Sequence, residues 1–245
     1  MKSFLAVATL SILLPTVALS ETVEKHNVLV FGDSITWGWL PVEPIVPTTR
    51  HAYEDRWPNI MAAELGDEYH VITEGLSGRT TNIDDPNSPG LLNGAEYLDS
   101  AMFSHQPIDL VIIMLGTNDT KTYLKRTPLE IGLGVGELIN IVQEGSGTGW
   151  YTYEDSAPEV LVISPPPLGE EIDPLAAEIF EGAQDKIKVL PAIYSDIATA
   201  AGVQFFDAAT VVELDEVGVD GIHLLVEGNQ DLGIAVAETV KKIIN

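Results

Sequence analysis

Four short stretches of this 245-residue chain carry side chains that can do chemistry. Gly32-Asp33-Ser34-Ile35-Thr36-Trp37-Gly38-Trp39 puts a hydroxyl in a sharp turn. Glu74-Gly75-Leu76-Ser77-Gly78-Arg79 offers a backbone N–H that can approach a ligand with no Cβ in the way. Gly116-Thr117-Asn118-Asp119 offers a carboxamide, and Asp220-Gly221-Ile222-His223 sets a carboxylate and an imidazole three positions apart. A hydroxyl nucleophile needs a base within hydrogen-bond reach and a carboxylate to fix the imidazole tautomer. Acyl transfer also needs two or three donors converging on one carbonyl oxygen. Taken singly, the serine serves equally as a helix cap, the glycine and asparagine stretches read as turns, and a lone Asp-x-x-His is commonly a surface loop. Their joint occurrence, in chain order, is what points to a site.

The elements that must position these stretches follow from periodicity. Continuous apolar runs at Asn27 to Phe31, Tyr69 to Thr73, Asp109 to Leu115, Glu159 to Ser164 and Val203 to Asp207 read as strands covered on both faces. Helical patterns lie between or after them at Trp57 to Leu65, Tyr97 to His105, Pro128 to Gln143, Pro174 to Ala201 and Glu227 to Ile244. Thr127-Pro128-Leu129-Glu130 is a helix start with a Thr cap, Pro at the first position and Glu reaching back. The alternation predicts a three-layer α/β/α sandwich on a central, mostly parallel five-stranded sheet. In such sheets function gathers at the carboxyl ends of the strands, which is where the first three stretches fall.

These blocks together resemble the SGNH (GDSL-type) hydrolases, whose signatures are GDS, a Gly after the second strand, GxND and DxxH. GDSITWGW, GLSGRTTNIDDP, LVIIMLGTNDTK, SPPPL and DGIHL are similar to the bacterial arylesterase and acyltransferase branch, which includes perhydrolase-like members. The resemblance spans almost the whole chain after its first twenty residues and implies a flavodoxin-like sheet. It also implies Ser34 as nucleophile, His223 as its base and Asp220 as the orienting carboxylate. The N–H groups of Ser34 and Gly78, with the Asn118 side chain, would form an oxyanion hole. Trp37, Trp39, Thr117, Ile179 and Phe180 would border the substrate, and a homo-oligomer would narrow its entrance. The implied reaction is hydrolysis of short-chain aryl or alkyl esters, or acyl transfer to alcohols or peroxide. Lysophospholipase, thioesterase and glycan O-deacetylase activities are alternatives on the same scaffold, and a silent secreted binding module is an alternative of another class. One departure is Leu224-Leu225-Val226, where the family often has a Ser or Thr capping the last helix.

Composition sets bounds on all of this. Lys2, the apolar run Phe4 to Leu14 and the small-residue ending Ala18-Leu19-Ser20 have the layout of a secretory leader. The run is shorter than the ~20 apolar residues a membrane span requires. The expectation is a leader over residues 1–20, one domain over 21–245 and an exported protein, periplasmic or extracellular, with no stable membrane insertion. Twelve basic against thirty-seven acidic residues give a formal charge of −25, which disfavours nucleic acid and anionic lipid as partners. With no cysteine, thiol chemistry and thiolate metal sites are excluded. Five scattered histidines without HExxH argue against metal hydrolysis, so no cofactor and no metal are expected. The GxSxG elbow of the other large esterase fold is absent. Gly132, Gly134 and Gly136 lie inside a helical pattern, which reads as close helix packing and not as a nucleotide loop. Asn118-Asp119-Thr120 matches a glycosylation sequon, but an Asn needed inside a site would carry no sugar.

Overall fold

The computed structural model describes residues 25–88, 91–145 and 157–244, so the expected leader lies outside the described residues. Five strands, β1 (His26–Gly32), β2 (Tyr69–Gly75), β3 (Leu110–Met114), β4 (Glu159–Ser164) and β5 (Gln204–Asp207), form one sheet in the order β2-β1-β3-β4-β5. Every pairing is parallel. The register sets Gly32, Gly75 and Met114 side by side, so the chain leaves the first three strands at one common edge.

Strand alternation divides the core in two. Leu29, Phe31, Val111, Ile113, Val160 and Val162 point to one face, where they meet α3 (Gly94–His105), α4 (Pro128–Glu144) and α6 (Ala183–Ala201). Val28, Val30, Leu110, Ile112, Leu161 and Ile163 point to the other, under α2 (Trp57–Leu65) and α7 (Val226–Ile243). Because both faces are covered, the inner strands can be apolar at every position, which is why they read as unbroken runs. The Thr127 cap is in place: its Oγ1 accepts from Glu130 N at 3.3 Å, and Glu130 Oε2 accepts from Thr127 N at 2.7 Å. Of the α4 glycines, Gly132 packs against a helix as expected, Gly134 packs against the loop at Thr81, and Gly136 has ordinary contact distance to Ile197. A Cβ on Gly132 would meet Ile193 of α6 at 2.4 Å, and one on Gly134 would meet Thr81 Oγ1 at 2.2 Å.

Most boundaries fall within one or two residues of the sequence expectation, and three helix boundaries are instructive. The chain enters α3 at Gly94, three residues before Tyr97, because Asn93 Oδ1 accepts from Ala95 N at 3.1 Å. The continuous helix expected over Pro174 to Ala201 is split into α5 (Pro174–Ala177) and α6, with Gly182 at φ +74° between them. Tertiary contacts break it: Ile179 O accepts from Thr122 N at 2.8 Å, and Phe180 turns into the core. α7 begins at Val226 although Leu225 supplies no side-chain cap. Asn229 ties this end of α7 to α2, its Nδ2 donating to Leu225 O at 2.9 Å while its Oδ1 accepts from Trp57 N at 3.1 Å.

Candidate active site

Ser34 opens α1 (Ser34–Trp37), a single turn set directly on the end of β1. Asp33 caps it, Oδ1 accepting from Ile35 N at 3.0 Å, and Gly38 closes it in the left-handed region with its N–H donating to Ser34 O at 2.9 Å. The hydroxyl is thereby held at the sheet edge.

His223 is 189 positions away in sequence, yet its Nε2 lies 2.8 Å from Ser34 Oγ. Its Nδ1 lies 2.8 Å from Asp220 Oδ2, and all three residues are buried. The loop that makes this possible is compact. Asp220 Oδ1 accepts from the N–H groups of Ile222 and His223, each at 2.9 Å, and Gly218 N donates to His223 O at 2.7 Å. Gly221 sits at φ +72° where a Cβ would come within 2.0 Å of Glu171 O, so no other residue fits. Burial pushes the Asp220 carboxyl up, but hydrogen bonds and charge from His223 and the two N–H donors outweigh it and hold the group below its ordinary range. An ionised Asp220 fixes the proton on Nδ1 and leaves Nε2 free to accept from the serine.

Gly78 follows β2 in a turn at φ +88°, closed by Arg79 N donating to Leu76 O at 3.0 Å. Among the described residues, neither Ser34 N nor Gly78 N has an acceptor. Asn118, in a 3-10 turn after β3, directs Nδ2 to Arg79 O at 3.2 Å and to Asp33 Oδ2 at 3.3 Å. Both contacts are long for an amide donor, so a stronger acceptor can compete for it.

The residues expected to border the substrate separate into groups. Trp39 lies at the site, stacked on the His223 imidazole with ring centroids 4.9 Å apart. Trp37 lies beneath the Arg50 guanidinium at 4.7 Å, with its ring centroid 6.1 Å from that of Trp39. Thr117 is buried, and its carbonyl accepts from Thr120 N at 3.2 Å and Thr120 Oγ1 at 2.6 Å. Ile179 is 37% exposed, whereas Phe180, at 8%, belongs to the core.

Several site residues were not singled out by sequence. Asp119 is fully buried and ties the loop after β3 to the loop after β2: its carboxylate accepts from Thr81 Oγ1 at 2.6 Å, from Thr81 N at 3.0 Å and from Arg126 at 2.7 Å. Arg79, 2% exposed, donates to Gly32 O and Glu74 O and lies 3.9 Å over the Phe31 ring. Burial raises Asp33 to about 7 against the lowering effect of Ile35 N and of the Arg79 charge. Each is adjacent to a motif residue, and that adjacency was the available signal.

A model of the GDSL-like lipase/acylhydrolase family matches residues 30–230, the span from β1 into α7 that contains every residue of this arrangement. The chain belongs to the GDSL-like lipase/acylhydrolase family. Its ester-cleaving acylhydrolase chemistry and its α/β SGNH hydrolase fold follow from that membership. The structure of the M. smegmatis aryl esterase is 51% identical, covers 89% of this chain and 100% of its own, and superposes with a TM-score of 0.84. Est24, a carbohydrate acetylesterase from Sinorhizobium meliloti, is 50% identical over 90% of this chain and 100% of its own, with a TM-score of 0.84. Another carbohydrate acetylesterase family member from Sinorhizobium meliloti is 36% identical over 89% and 99%, at a TM-score of 0.82. No curated protein matches the chain. For this GDSL acylhydrolase, the identities place the aryl esterase and acetylesterase structures well above the level at which only a fold is shared.

Proposed function

We propose that this chain is an exported serine esterase that removes short acyl groups, acetyl foremost, through an acyl-enzyme on Ser34. The observation that carries the reading is the unbroken hydrogen-bonded line from Ser34 Oγ through His223 to Asp220. In the first step His223 Nε2 takes the Ser34 proton as Oγ bonds to the ester carbonyl carbon. The oxygen that gains charge is received by Ser34 N–H, Gly78 N–H and the Asn118 carboxamide. Protonated His223, stabilised by ionised Asp220, then gives its proton to the departing alcohol oxygen as the carbon–oxygen bond breaks. Water repeats the sequence against the acyl-enzyme, losing a proton to His223 and releasing the acid and the serine.

Two relatives described as carbohydrate acetylesterases and one as an aryl esterase support a short acyl group on a sugar or aryl alcohol. Trp39 sets an apolar ring face against His223, which supports acyl transfer to small alcohols or peroxide in competition with water. Export rests on the pattern of residues 1–20, and a homo-oligomer rests on the family resemblance. The test is a panel of nitrophenyl esters of increasing chain length beside an acetylated glycan, with and without added alcohol. Acyl-ester cleavage that falls steeply with chain length, with acetyl released from the glycan, supports the reading, and equal rates on long-chain esters contradict it.

A further inference from the structure

On the far side of the Ser34 turn, against the sheet edge formed by β2, lies a pocket of about 260 Å³. Its lining includes Thr36, Arg50, Tyr53, Arg56, Asn59 and Thr73 and contains no Asp or Glu, in a chain with thirty-seven of them. Each guanidinium is oriented from behind. Arg50 Nε donates to Trp37 O at 2.7 Å with its plane over Trp37, and Arg56 Nε donates to His51 O at 3.0 Å with its guanidinium near the Tyr53 ring. The terminal nitrogens of both have no protein acceptor among the described residues, and neither arginine takes part in a salt bridge there.

Two other partly buried cations in this acidic molecule are paired with carboxylates: Lys121 with Asp85 at 2.9 Å and Arg126 with Asp119 at 2.7 Å. Here two like charges are brought together instead. Burial and the Arg56 charge both hold Arg50 below its ordinary range, so folding opposes ionisation at this spot. Thr36, on the same lining, is fully buried, with its Oγ1 packed against Gly32. Asn59 Nδ2 donates to Tyr53 O at 2.6 Å, so the donors left for a ligand are chiefly the two guanidinium forks, which recognise an oxyanion, and two positive charges match two negative ones.

We propose that this pocket binds a dianionic oxyanion of the phosphate class, separate from the site at Ser34. The pocket has room for about nine waters at roughly 30 Å³ each, enough for phosphate and a small organic substituent. An anion bound only to the folded state raises the melting temperature in a saturable way.

The test titrates the full chain with inorganic phosphate, by melting and by calorimetry, against sodium chloride at matched ionic strength. The wild type should show a saturable shift and saturable heat. Arg56→Gln should weaken the phosphate affinity by roughly tenfold or more, the worth of a charged hydrogen bond. Thr73→Glu, at an exposed position on β2, puts a carboxylate into the pocket while leaving both arginine anchors in place, and should abolish binding even if Arg56→Gln fails to fold. A wild type whose response to phosphate equals that to chloride, or a Thr73→Glu protein that binds as the wild type does, overturns the proposal.

Discussion

The Trp39 indole lies nearly flat on the His223 imidazole, ring centroids 4.9 Å and planes 16° apart. The base is therefore held from three sides: Asp220 at Nδ1, Ser34 at Nε2 and an aromatic face across the ring. Such a contact is worth about 0.5–1.5 kcal/mol beyond burial. Replacing Trp39 by Ala should lower kcat about two- to tenfold through a less ordered base, and Phe should restore most of the loss. Steady-state kinetics of the two variants check this. A Trp39→Ala enzyme with unchanged kcat would show that the stacking does not orient the imidazole.

Asn118→Ala should lower kcat by roughly 10²–10³, the usual cost of one oxyanion donor, with a smaller change in KM. The two acceptors it now satisfies, Asp33 Oδ2 and Arg79 O, would lose a donor, so a modest drop in melting temperature should accompany it. A raised KM at constant kcat would make Asn118 a substrate-binding residue.

Asp33 gives a pH prediction. Its carboxyl sits at about 7 in the fold because burial disfavours the charged form, against an ordinary value of 3.8. Between those values the folded chain keeps a proton that the unfolded chain has released, so this group favours folding at low pH. That contribution is lost as the pH rises through about 7. Asp33→Asn carries no such proton. The stability difference between variant and wild type should therefore move in the variant's favour as the pH rises across this window. Denaturant melts at a series of pH values measure it, and a difference independent of pH would contradict the buried, protonated state.

Sequence pointed to the candidate site through its motif residues and to the fold through its strands. A strand buried on both faces must be apolar throughout, and a nucleophile turn, a left-handed glycine and an Asp-x-x-His loop each restrict residue type locally. Ser34, Gly78, Asn118, Asp220 and His223 are legible as candidates because the four motifs occur together in chain order, and their roles come from the family resemblance. The break between Ala177 and Ala183 was not, since the bond from Thr122 N to Ile179 O that ends α5 joins residues far apart in sequence. Arg79, Asp119 and Arg126 escaped for a similar reason. A charged residue in a loop reads as exposed, and only the assembled loops show that Asp119 is buried against Thr81 and Arg126. Trp37 and Trp39 are two residues apart, and nothing in their order tells which meets His223 and which meets Arg50.

Ester cleavage by this chain passes through an acyl group on Ser34. The most direct measurement is mass spectrometry of the protein quenched in acid during turnover of nitrophenyl acetate, with digestion to locate the adduct. The account predicts an acetyl group on the peptide carrying Ser34, formed faster than it is hydrolysed or at a comparable rate, and absent from Ser34→Ala, which should remain folded and inactive. Wild-type turnover by folded Ser34→Ala, or an acetyl group retained at another residue on the turnover timescale in its place, would contradict it.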